Sequence, residues 1–94
     1  MTGIELIAAE RTRQVEVEKR TPEHDREHHW GELADAAACY AFNANERKSD
    51  PSRPPTGWPS DWDWNPKNPI RDLIRAGALI AAEIDRRLSR GEQA

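Results

Sequence analysis

The run His24-Asp25-Arg26-Glu27-His28, continued by Glu32, Asp35 and Cys39, gathers the side chains best suited to chemistry. On a continuous helix the spacings of His28, Glu32, Asp35 and Cys39 from His24 put these side chains on one side, fanned over less than about a quarter turn. Two imidazoles four residues apart with a carboxylate one turn on suit a divalent metal. His24, His28 and His29 also form a patch that titrates near neutrality. The plainer alternative is a polar helix start whose His and Glu side chains are solvated or hydrogen-bonded.

Three further features are candidates. Arg11 falls inside the apolar stripe of Ile7, Ala8 and Val15, a costly place for a guanidinium unless it meets a carboxylate or a phosphate. Glu32 or Asp35 is the expected structural partner, a pocket-bound phosphate the alternative. Arg71, Arg75, Arg86 and Arg90 lie off the apolar stripe of the last helix, where they form a solvated ion-paired face or meet anions across an oligomer interface. In Gly57-Trp58-Pro59-Ser60-Asp61-Trp62-Asp63-Trp64, indoles could stack on a nucleobase while the flanking aspartates accept hydrogen bonds from its edge. Equally, the tryptophans could simply hold a loop across helix faces. Cys39, in an Ala-rich stretch, is expected to be a small core residue. There is no Gly-rich phosphate loop and no CxxC pair.

The periodicity predicts an all-α chain with helices at about 4–19, 22–45 and 69–90 and a connector over 46–68. Thr21-Pro22-Glu23 and Asn68-Pro69 are cap-then-proline start signals, Gly91 is a stop, and Gly31 is a potential break in the second helix. In the last helix Ile70, Leu73, Ile74, Gly77, Ile80, Ala81, Ile84 and Leu88 share an arc of roughly 120°. The connector's prolines exclude a long helix, and its three indoles argue against disorder.

With 36% hydrophobic and 33% charged residues in 94, the chain is short of private core, so pairing of copies through the second and third helices is expected. A net charge of −3 and a pI near 5.6 exclude general nucleic-acid coating. The apolar runs are too short for a membrane span, the N-terminal run too acidic for a secretory signal, and the single cysteine fits a reducing cytoplasm.

The strings Ile7-Ala8-Ala9-Glu10-Arg11, Thr21-Pro22-Glu23-His24-Asp25, Gly31-Glu32-Leu33-Ala34 and Arg71-Asp72-Leu73-Ile74 resemble a group of small phage and prophage proteins. More remotely the arrangement is similar to MazG-like all-α nucleotide pyrophosphohydrolases, which hold Mg²⁺ between acidic motifs on successive helices. That resemblance implies Glu32, Asp35 and Asp72 as ligands for Mg²⁺ or Mn²⁺, but Arg75 stands where a second acidic residue is expected. A guanidinium there repels metal and attracts phosphate. The implied function is therefore sequestration of a phosphorylated nucleotide-like ligand, as in phage proteins that absorb a host immune signal, in the cytoplasm of an infected or lysogenic bacterium. Arg11 and Arg75 would hold phosphates, Trp62 would stack on the base, and His24, His28 and Glu32 would bind polar edges. The alternatives are the metal-dependent hydrolase and a protein-interaction module.

Overall fold

The computed structural model describes residues 1–18, 31–45 and 53–94. Among these there are three helices and no strand: α1 (Gly3–Glu16), α2 (Glu32–Ala44) and α3 (Pro69–Ser89). None is long and apolar enough to cross a membrane. The chain is all-α, as the periodicity predicts.

Local chemistry sets the helix ends. Thr2 opens α1 with a capping box: its hydroxyl accepts from the Glu5 amide at 3.2 Å while Glu5 accepts from the Thr2 amide at 2.8 Å. Asn68 caps α3 by accepting from the Arg71 amide at 2.9 Å, with Pro69 in the first turn. Gly31 has φ of 79°, a left-handed conformation that other residues rarely adopt, and α2 begins after it. A single helix therefore does not run unbroken from residue 22 to 45. The histidine cluster at 24–29 lies outside the described residues.

Helices α2 and α3 pack as an antiparallel hairpin. Asn43, near the end of α2, bonds Asp72 near the start of α3, and Glu32 at the start of α2 acts electrostatically on Arg86 near the end of α3. Leu33, Ala36, Ala37, Tyr40, Ala76, Leu79 and Ala82 form the core between them, a seam of mostly small side chains. Helix α1 lies against α3, where Gly77 permits close approach: a Cβ there would stand 2.5 Å from Ile7 Cδ1.

The connector lies on this hairpin. Trp58, Trp62 and Trp64 pack against the core, and Trp64 stacks on Tyr40 with ring centroids 5.2 Å apart. Two turns shape the segment, Trp58 N–H to Pro55 O and Trp62 N–H to Pro59 O, both at 3.2 Å. Gly57, with φ of 101°, supplies the positive dihedral that the first requires at its third position. Cys39 is buried, as expected, with Sγ 3.8 Å from Pro55 O and 3.9 Å from Thr56 O. Burial, and then the nearby Asp35, push its thiol pKa up, which disfavours the reactive thiolate.

The faces of α3 depart from expectation. Of its apolar arc only Ile74 is buried among the large side chains, while Ile70, Leu73, Ile80, Ile84 and Leu88 are between 49% and 66% exposed. What turns inward with Ile74, Leu79 and the alanines includes polar side chains: Asp72 is 1% exposed, Glu83 is buried, and Arg86 is 2% exposed. Arg86 is thus no part of a solvated face. Partners make this tolerable, because Arg86 forks onto Glu83 through Nε and Nη2 at 2.8 and 2.9 Å, and Arg87 Nε adds a bond to Glu83 at 2.8 Å. Arg86 above all, then Arg87, hold the Glu83 carboxyl down to about 2 despite burial.

That shift predicts an acid-labile fold. The folded value lies below the ordinary 4.5, so the pair's contribution is complete above about pH 4.5 and is lost as pH falls toward 2. The contribution at stake is about 3 kcal/mol. Urea midpoints measured from pH 6 to pH 2.5 should fall steeply below pH 4.5, and Glu83→Gln should flatten that fall. An equally steep fall in the variant would contradict it.

Candidate functional site

A cavity of about 600 Å³ opens between α1, the connector and the hairpin. Helix α1 and the residues just after it contribute Glu10, Arg13, Gln14 and Glu18, where Gln14 lies four residues from both Glu10 and Glu18 and Arg13 three from Glu10, so that they share one side. Tyr40 comes from α2, Trp58, Asp61, Trp62 and Asp63 from the connector, and Arg75 and Leu79 from α3.

The guanidiniums are oriented by acceptors. Arg13 forks onto Glu10 at 2.9 and 2.7 Å and reaches Glu18 at 2.5 Å. The Arg13 hydrogen bonds hold the buried Glu10 carboxyl below the usual range, against the opposing effect of burial. Arg75 donates to Asn65 O at 2.7 Å, to Asp72 at 3.4 Å and to the Tyr40 hydroxyl, and its Cζ lies 4.0 Å over the Tyr40 ring. Trp58 donates from Nε1 to Trp62 O at 2.8 Å, closing the turn that carries Asp61. Gln14 is 3% exposed; its Nε2 donates to Glu10 at 3.3 Å, while its Oε1 has no hydrogen-bond partner among the described residues.

Of the residues singled out from the sequence, Trp62 and Arg75 meet in this cavity. Arg11 does not join them. It is mostly buried and pairs with Asp85 of α3 at 3.4 Å, rather than with Glu32 or Asp35. Glu32 sits near Arg86 at the other end of the hairpin. Asp35 lines a second cavity of about 800 Å³ with Cys39, Phe42, Asn43 and the connector residues from Arg53 to Gly57. His24 and His28 lie outside the described residues.

Asp72 has a structural task. It accepts from the Lys67 amide at 2.8 Å, from Asn43 at 3.2 Å and from Arg75 at 3.4 Å, tying the connector's end to both hairpin helices. Its contact Asn43 is three turns along α2 from Glu32, about 16 Å at the helical rise. The structure therefore does not bring Asp72 to Glu32 and Asp35. Among the described residues no group of three His, Cys, Asp or Glu side chains is close enough to hold a metal ion.

Sequence reasoning missed Glu10, Arg13, Gln14 and Tyr40. Glu10, Arg13 and Gln14 have the spacing of an ordinary ion-paired surface, and only the packing of α1 on α3, with the connector across the cavity, makes them a wall. Comparison with protein-family models, curated proteins and solved structures finds no match.

Proposed function

We propose that the chain binds a phosphorylated nucleotide-like ligand and retains it unaltered, with the base beside Trp62 in the cavity and the phosphates toward its open side. One observation carries this reading: a cavity of about 600 Å³ walled by Tyr40, Trp58 and Trp62 together with Arg13 and Arg75. That size lies within the range of small-molecule sites, and aromatic faces with a few charged groups suit a base bearing an anionic tail. Arg13, whose side chain is about half exposed, is the cation nearest to the role expected of Arg11. The resemblance of its sequence strings to phage and prophage proteins is what motivates extending the proposal to a counter-defence role in a bacterial cytoplasm.

Thermal shift of the full chain with nucleotides and cyclic nucleotides tests it, with and without Mg²⁺ or Mn²⁺. We expect stabilisation that grows with the logarithm of ligand concentration, persists in EDTA and is lost in Trp62→Ala. No shift under any condition contradicts the reading. Metal-dependent release of pyrophosphate, abolished by Glu32→Gln, would instead support the MazG-like hydrolase.

A second reading, compatible with the first, rests on the outward face of α3: it is the interface with a second copy of this chain. Five large apolar side chains along one helix form a patch rather than scattered singles. The stripe matches itself when two copies run antiparallel, Ile70 and Leu73 of one meeting Ile84 and Leu88 of the other.

A further inference from the structure

The cavity's hydrogen-bonding capacity is lopsided. Arg13, Arg75, Trp58 Nε1 and the Gln14 amide each donate at least one hydrogen bond to an acceptor of the protein itself. Its acceptors are not used up. Asp61 and Asp63, on either side of Trp62, make no hydrogen bond or ion pair among the described residues, and Gln14 Oε1 on the opposite wall is buried without a partner. In charge, too, the wall holds four carboxylates against two guanidiniums.

We infer that the cavity selects bases with a donor-rich edge, of guanine type. The inference rests on the nucleotide reading and narrows it. Guanine presents N1–H and the N2 amine side by side, a pair that one carboxylate accepts in parallel. Adenine presents one donor beside a lone pair, and that lone pair faces the aspartate's negative charge instead of giving a second bond. Trp62 supplies a stacking face between the two candidate carboxylates, and stacking alone does not discriminate bases. The base enters the cavity, and the phosphates stay at its open side beside the half-exposed Arg13.

The experiment is a titration of the full chain with guanosine, inosine and adenosine 5′-monophosphates, followed by tryptophan fluorescence and calorimetry. The expected order is guanosine, then inosine, which lacks the N2 amine, then adenosine, with about tenfold or more between the first and last. In Asp61→Asn/Asp63→Asn the guanosine preference should collapse while adenosine affinity is kept or improved. Both positions are exposed loop residues, so the variant is expected to fold. Binding of all three with equal affinity, or a guanosine preference unchanged in the double variant, overturns the inference and leaves the nucleotide reading standing. Binding of none overturns both.

Discussion

Replacing Asp72 by alanine is expected to destabilise the fold by about 3–5 kcal/mol, a large part of what a chain this size possesses. Asp72 is 1% exposed and serves three donors from three places: the Lys67 amide, Asn43 Nδ2 and Arg75 Nη1. Removing the carboxylate leaves the part-buried Lys67 N–H and the buried Asn43 amide without that acceptor and takes from Arg75 one of its three, each at a desolvation cost. Little else compensates, because Leu33 and Asp72 are the largest fully buried side chains and most of the core is alanine. Asp72→Asn keeps one acceptor oxygen but sets an NH2 group against donors, so it should recover only part of the loss. Urea unfolding followed by far-UV circular dichroism measures both variants. A loss of less than about 1 kcal/mol in Asp72→Ala would show that the connector does not depend on this hub.

The second large effect is expected at the outward face of α3. Ile80 and Ile84 are 50% and 52% exposed, at the middle of the apolar stripe. If a second copy covers them, Ile80→Glu/Ile84→Glu buries four carboxylates in one symmetric interface and should abolish pairing outright. Wild type should sediment as a dimer whose thermal midpoint rises with protein concentration, and the variant as a monomer whose midpoint does not. Monomeric wild type at the highest soluble concentration contradicts the second-copy reading.

Much of the fold was legible because its signals are local. Asn68 with Pro69 marks the start of α3 through a side chain within reach of the first turn, whereas sequence reasoning missed the capping box of Thr2 and Glu5 at the start of α1. The indoles of Trp58, Trp62 and Trp64 announced a connector laid on the hairpin, because rings of that area seek burial. The orientation of α3 was not legible. Periodicity groups Ile70, Leu73, Ile80 and Ile84 on one face without saying what covers it. The opposite face is buried because Asp72 and Glu83 find donors, and one of them, Asn43, is 29 residues away in sequence. In the same way Trp62 and Arg75 could be named in advance, while Glu10, Arg13 and Gln14 have the pattern of a solvated ion-paired surface and become a cavity wall only through the packing of α1 on α3.

The central claim is that this cavity holds a nucleotide and leaves it intact. Equilibrium dialysis of the full chain against guanosine triphosphate, in Mg²⁺ buffer and again in EDTA, tests it most directly when the retained ligand is recovered by denaturation and weighed by mass spectrometry. The account predicts excess nucleotide on the protein side in both buffers, recovered as the triphosphate, and no excess with Trp62→Ala. No excess with the wild-type chain, or recovery as the monophosphate with pyrophosphate released, would contradict it.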